Sequence, residues 1–156
     1  MKLTIAAVGR LKAGPERALL DDWLSRAGAT GRPLGLGPVE MAEVDERKFG
    51  DRDAQSRRLL EAVPAGAMAV ALDERGKTMT SPGFARLIGR ERDGGCARMV
   101  FLIGGADGLT EDARRAAAHR LSFGPMVWPH MLARLMLAEQ IYRATTILAG
   151  LPYHRE

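Results

Sequence analysis

Apolar and polar positions along the chain fall into two alternating textures, short uncharged runs and longer stretches with helical spacing. Leu3-Thr4-Ile5-Ala6-Ala7-Val8 is a continuous apolar run closed by Gly9, the pattern of a strand buried on both faces. Pro15 to Ala27 follows with apolar residues at Ala18, Leu19, Trp23 and Leu24, which predicts a helix ending at Gly28. The stretch from Gly31 to Pro38 is rich in Gly and Pro and reads as loop. A weaker strand is expected over Val39 to Val44, and a charged amphipathic helix over Asp51 to Val63, stopped by Pro64.

The same alternation recurs downstream. Ala67 to Leu72 is an uncharged strand that runs into Asp73-Glu74-Arg75-Gly76-Lys77, which reads as a turn. Ser81 is placed as the N-cap of a helix with Pro82 at its first position, extending to about Arg92. Met99 to Ile103 is a further buried strand, closed by Gly104-Gly105-Ala106-Asp107-Gly108. Thr110-Glu111-Asp112 caps the next helix and puts acids at its positive end. A short strand or loop over Leu121 to Val127 precedes the longest helix, Pro129 to Ala149, for which Gly150 and Pro152 are stop signals. Strands that alternate with helices predict an α/β fold built on a mainly parallel sheet. In such sheets ligands bind beyond the carboxyl ends of the strands. That directs attention to the turns after Leu72 and Ile103 and to the Ser122–Trp128 segment.

Composition narrows the picture. With 156 residues, 46% of them hydrophobic and 27% charged, the chain has the size and balance of one folded domain, residues 1–156. The net charge is +4, a mild bias toward polyanions; Lys2, Lys12, Lys48 and Lys77 are the lysines, and all other basic residues are arginines. A single cysteine, Cys96, excludes an internal disulfide framework and a multi-cysteine zinc site. No asparagine occurs, so N-glycosylation is excluded. The longest uncharged apolar stretches fall well short of the ~20 residues of a membrane span, and a cytoplasmic protein is expected.

Covalent, metal and nucleotide-fold signatures are weak. His119, His130 and His154 do not pair at ligand spacing, so no metal is expected, and neither a Gly-x-Ser-x-Gly elbow nor a Walker A loop occurs. The Gly104–Gly108 turn lets backbone approach a ligand closely, although a plain tight turn has the same appearance. Ser122-Phe123-Gly124-Pro125-Met126-Val127-Trp128-Pro129-His130 combines irregular backbone with large apolar side chains. It suits either a purine pocket or a rigid connector over the core. The terminal Pro152-Tyr153-His154-Arg155-Glu156 is either a frayed end or a set of groups able to stack a base and contact phosphate. The last helix is apolar on more than one stripe, which points to contact with both the core and a partner chain.

Leu121-Ser122-Phe123, Met126, Trp128-Pro129-His130, Glu139-Gln140-Ile141-Tyr142-Arg143-Ala144 and Pro152-Tyr153-His154-Arg155 together resemble the RlmH family. These are the 23S ribosomal RNA pseudouridine-N3 methyltransferases of the SPOUT superfamily. Met1-Lys2-Leu3, Val8-Gly9, Leu72-Asp73 with Gly76-Lys77, and Ile103-Gly104-Gly105 with Gly108 match at corresponding places, so the resemblance covers the whole chain. It implies a SPOUT-type α/β fold with a C-terminal trefoil knot, a homodimer, and S-adenosylmethionine as methyl donor. It implies as acceptor a pseudouridine in the helix 69 loop of 23S rRNA within the 70S ribosome. Carried over by residue, donor binding falls on Leu72, Gly104, Gly105, Phe123, Gly124, Pro125, Met126, Val127 and Trp128. The catalytic set is Arg143, Tyr153 and His154, with Arg143 stabilising charge and His154 taking a proton or touching phosphate, in a site shared between subunits. Gly124-Pro125 departs from the family pattern, in which a serine and a variable residue are common, and Pro125 has no amide to donate.

Overall fold

The computed structural model describes residues 1–154. Its centre is one five-stranded sheet in the order β2-β1-β4-β3-β5, with every pair parallel. The strands are β1 (Lys2–Val8), β2 (Val39–Val44), β3 (Met68–Thr78), β4 (Arg98–Ile103) and β5 (His119–Ser122). The helices are α1 (Pro15–Gly31), α2 (Arg52–Glu61), α3 (Ser81–Asp93), α4 (Glu111–Ala116) and α5 (His130–Leu148).

Side-chain alternation divides the apolar residues of the sheet between two faces. Leu3, Ile5, Val70, Met99, Phe101 and Leu121 pack against α1, α3 and α5. Ala6, Val8, Ala69, Val100 and Leu102 pack against Leu59 of α2 and Ala113 of α4. The central strands β1 and β4 are buried on both faces, which is why they read as unbroken apolar runs. The weaker pattern of β2 reflects its place at the edge, where only Val44 is fully buried.

Three elements depart from the sequence reading. The predicted turn at Asp73–Lys77 lies inside β3. Leu72 and Lys77 both face Leu121 of β5, so the four residues between them are pushed out of the ladder as a bulge and pairing resumes through Thr78. Tertiary pairing with β5 overrides the local turn preference. Asp73 of the bulge takes Arg114 at 2.5 Å, and the Ser122 hydroxyl donates to the carbonyl of Glu74 at 3.1 Å. Second, the cap of α3 is Thr80, whose hydroxyl accepts from the Gly83 amide at 3.2 Å, and Ser81 is already helical. Third, α1 runs past Gly28 to Gly31 and is followed by a single 3-10 turn at Arg32–Leu34 inside the predicted loop. Gly31 lies within contact of Thr145 of α5, whose packing carries α1 through a weak helix former.

Much of the apolar surface on α5 is used within the chain, and Leu132 is left exposed. The helix lies against both α1 and α3 and buries Leu135, Leu137, Ala138, Ile141 and Ala144 between them and the sheet. Arg134 is buried as well. It donates to the carbonyls of Val8 at 2.7 Å and Gly9 at 3.0 Å and lies 3.4 Å from the Glu43 carboxylate, tying α5 to the end of β1. No helix among the described residues is long and apolar enough to cross a membrane.

Candidate functional site

Because all strands are parallel, their carboxyl ends share one edge of the sheet. The register sets Ala71 opposite Leu102 on one side and Leu72 opposite Leu121 on the other. The Ile103-Gly104 turn, Leu72 and Ser122 therefore follow one another across the sheet, at the edge where open α/β sheets place ligands.

A cavity of about 430 Å³ opens beside this edge. Thr78 and Met79 form one wall, Ser81 and Phe84 of α3 a second, Leu121 to Gly124 a third, and Met136, Glu139 and Gln140 of α5 the last. Its volume is in the range of sites for small organic ligands, and it combines apolar walls with a few polar groups. The sequence reading placed Phe123 and Gly124 at a ligand, and both line the cavity. Leu72, Gly104 and Gly105 lie farther along the sheet edge and do not line it; nor do Pro125, Met126, Val127 and Trp128. Met126 and Val127 are exposed, Trp128 partly so. Gly124 has a positive φ of 107°, with no atom within 4 Å of where a Cβ would stand, so it turns the chain out of β5 without crowding the cavity mouth.

The glycines after β4 have a packing role of their own. A Cβ on Gly104 would stand 2.5 Å from the Gly108 carbonyl carbon, and one on Gly105 would stand 2.8 Å from Gln55 Oε1. The Gly108 amide donates to the Gly105 carbonyl at 3.0 Å, closing the turn. Close backbone contact excludes any side chain at Gly104, while at Gly105 the Gln55 and Val8 side chains would have to shift.

The polar wall on α5 is organised around Glu139. Arg143, one helical turn later, donates from Nε at 3.0 Å and from Nη2 at 2.5 Å to Oε1. The Tyr153 hydroxyl donates to the same oxygen at 3.0 Å. On the other oxygen, Gln140 donates at 2.8 Å, and the Gln140 carbonyl oxygen accepts from Ser81 at 2.8 Å. Ser81 is free to do this because Thr80 serves as the cap. Glu139, Gln140 and Ser81 join the site only in the structure. The i, i+4 spacing of Glu139 and Arg143, which sets an acid below a cation on one helix face, is the sequence signal for Glu139; Gln140 and Ser81 have none, because they meet only where α3 packs on α5.

Aromatic contacts fix the carboxyl-terminal segment over this group. The Arg143 guanidinium lies 4.8 Å from the centre of the Tyr153 ring. Tyr153 meets Tyr142 edge-on at 4.7 Å, and Tyr142 meets Trp23 of α1 at 5.4 Å. The structure therefore brings Arg143 and Tyr153 together through Glu139. The hydrogen bond to Glu139 holds Arg143 charged, raising its pKa against the opposing effect of burial. Burial, and then the bond to Glu139, push the Tyr153 hydroxyl above its ordinary range. His154 follows directly, with both ring nitrogens buried and without a hydrogen-bond partner among the described residues. Arg155, which completes the terminal motif, lies outside the described residues.

Comparison with known proteins identifies the family. The family model described as "Predicted SPOUT methyltransferase" matches residues 1–154. A protein of Dinoroseobacter shibae named ribosomal RNA large subunit methyltransferase H is 60% identical over 155 residues, covering 99% of both chains. Proteins of the same name from Paracoccus denitrificans and Maricaulis maris are 54% and 53% identical over 156 residues, covering 100% of this chain. Full-length similarity at this level, on a parallel α/β sheet with a cavity at its strand ends, places the chain in the SPOUT methyltransferase family as a ribosomal RNA methyltransferase.

Proposed function

We propose that the cavity holds S-adenosylmethionine and that the chain methylates N3 of a pseudouridine in the helix 69 loop of 23S rRNA on the assembled ribosome. In this reading it acts in the cytoplasm as a single-domain homodimer with a trefoil-knotted carboxyl-terminal region, and each site takes residues from both subunits. The observation that carries the proposal is the joining of the strand-end cavity to the Glu139, Arg143 and Tyr153 cluster by a shared wall.

The cavity suits such a donor. Phe84, Leu121, Phe123 and Met136 offer apolar surface for a purine and a thioether-like chain. Ser81 and Gln140 offer hydrogen-bonding groups, while the Gly124 amide is taken by the Ser122 hydroxyl. Pro125 contributes only a carbonyl, so amide donation in this segment falls to its neighbours. Leu72 and the Gly104-Gly105 turn extend the site along the sheet edge, and Met126 to Trp128 close over it. When bound, the donor supplies a methyl group already activated on a sulfonium.

The residues of the chain then have three tasks. The walls exclude water and hold the two reactants close, and positioning of this kind accounts for much of the acceleration in bimolecular transfer. Arg143, kept charged and oriented by Glu139, faces the negative charge that spreads over the acceptor's carbonyl oxygens as N3 loses its proton. The lone-pair nitrogen of the neutral, unpartnered His154 ring accepts that proton, giving the imidazolium, and Tyr153 remains a donor that fixes Glu139.

Mass spectrometry of 23S rRNA from cells lacking the protein tests the assignment. The helix 69 fragment loses the mass of one methyl group, and purified protein with S-adenosylmethionine restores it on isolated ribosomes. Retention of the N3-methyl mark in those cells overturns the substrate. An absence of calorimetric heat on adding S-adenosylmethionine overturns the donor.

A further inference from the structure

Behind the Met79 wall lies a second concavity, also of about 430 Å³, lined by Arg75, Gly76, Lys77, Met79, Ala118, His119 and Arg120. Met79 belongs to both cavities, so the two are back to back. More than half of the basic side chains are engaged with carboxylates within the chain. In the second cavity Arg75 is 3.9 Å from Glu74, both of them exposed, while among the described residues no carboxylate comes within 4.0 Å of Lys77, His119 or Arg120. The nearby acid Asp73 is taken by Arg114 and Glu111 by Arg115. Lys77 and Arg120 are exposed and His119 is half-buried, so their charge faces solvent.

The backbone builds this cluster. The bulge in β3 expels Asp73 to Gly76 from the ladder and returns Lys77 opposite Leu121, next to Arg120 in β5. Gly76 makes the return possible: a Cβ there would stand 2.8 Å from the Arg120 carbonyl carbon and oxygen and 2.8 Å from the Leu121 carbonyl carbon. A turn that only reversed the chain would not need to press its backbone against β5. The close approach gathers cations from two strands around one hollow, where like charges repel unless an anion binds between them.

We propose that this hollow is a phosphate seat for the substrate RNA: Lys77 and Arg120, with Arg75 and His119 at its sides, hold backbone phosphates of the ribosomal RNA strand whose base is presented to the adjoining cavity. The inference uses the ribosomal RNA activity and rests on the assignment of that cavity to the methyl donor. Such contacts position the strand and carry no sequence information. They explain how a chain of net charge +4 engages RNA with a local rather than a global excess of charge.

The test compares wild type with Lys77→Gln/Arg120→Gln, and with Arg52→Gln/Arg57→Gln on α2 as an equal charge change elsewhere. Binding to purified 70S ribosomes is measured across a salt titration, alongside methylation and S-adenosylmethionine calorimetry. The first variant is expected to bind ribosomes about tenfold more weakly at physiological salt, and its log–log salt slope is expected to fall by about 0.7 to 0.9 per lost contact. Donor affinity stays at the wild-type value, KM for ribosomes rises and kcat holds. The α2 variant behaves as wild type. Equal weakening in both variants overturns the seat, because the effect is then one of net charge. An unchanged salt slope, or no ribosome binding by wild type, overturns it too. If wild type binds ribosomes and the salt signature appears but no methyl transfer or donor heat is seen, the seat stands and the donor assignment fails.

Discussion

Glu139 receives four donated hydrogen bonds from three side chains, and in doing so joins a cavity wall to the carboxyl-terminal segment. It acts as a positioning residue: its charge orients Arg143 and fixes the Tyr153 hydroxyl. Glu139→Gln keeps the size of the side chain and removes the charge. In that variant kcat is expected to fall by about ten- to hundredfold, the scale of a misplaced reacting group. A spectroscopic readout separates this from general damage. The Tyr153 pKa stands above its ordinary 10.0, raised by burial first and by Glu139 second. Its preference for the protonated form therefore stabilises the fold at and below pH 10.0, and this is lost as pH rises through the raised value. Glu139→Gln lowers the phenolate absorbance midpoint part of the way toward the ordinary value, since burial remains. A midpoint that does not move counts against the role. Arg134 shows the opposite use of a guanidinium. It sits nine residues before Arg143, on the opposite side of α5, fully buried against the end of β1, where burial lowers its pKa. Arg134→Met strands the Val8 and Gly9 carbonyls, while Glu43 keeps the Leu11 amide, and is expected to cost about 1–3 kcal/mol in denaturant unfolding.

At the scale of elements, the bounds of α3 decide what Ser81 does. Thr80→Ala removes the bond to the Gly83 amide and is expected to lower stability by about 1 kcal/mol, the usual worth of an N-cap. Ser81→Ala leaves that cap intact; its effect is expected in KM for the donor, through release of Gln140, with less than half the stability loss. The reverse pattern in thermal unfolding and kinetics would return the cap to Ser81. The strands β1 and β4 were legible in the sequence because burial on both faces leaves unbroken apolar runs that nothing else produces. The continuation of β3 beyond Leu72 was not legible. Its charged bulge is held by Arg114, Ser122 and Leu121, partners more than forty residues away. The candidate site divides along the same line. Phe123, Gly124, Arg143 and Tyr153 stand out in motifs, whereas Ser81 and Gln140 acquire meaning only when α3 and α5 meet across the cavity.

At the scale of the molecule, the proposed ribosomal substrate raises the question of how so small a protein would recognise it. The five strands and the five helices that cover them take up most of the described chain, leaving no separate RNA-binding module among those residues. Eleven of its nineteen arginines lie within 4.0 Å of carboxylates of the same chain, so the charge available for counterion release is small and local. Recognition must then draw on shape. A folded ribosomal surface offers fixed relief over a wide area, while a free hairpin offers a few phosphates and a mobile loop. The rate on 70S ribosomes is therefore expected to exceed that on an isolated helix 69 hairpin by about 10²-fold or more in kcat/KM, a difference of at least about 2.7 kcal/mol in transition-state stabilisation. Raising the salt weakens both reactions, but the advantage of the ribosome persists because shape complementarity is not screened. Equal kcat/KM on the two substrates would show that local contacts suffice, and would remove the assembled ribosome from the proposed function while leaving the chemistry at Arg143 in place.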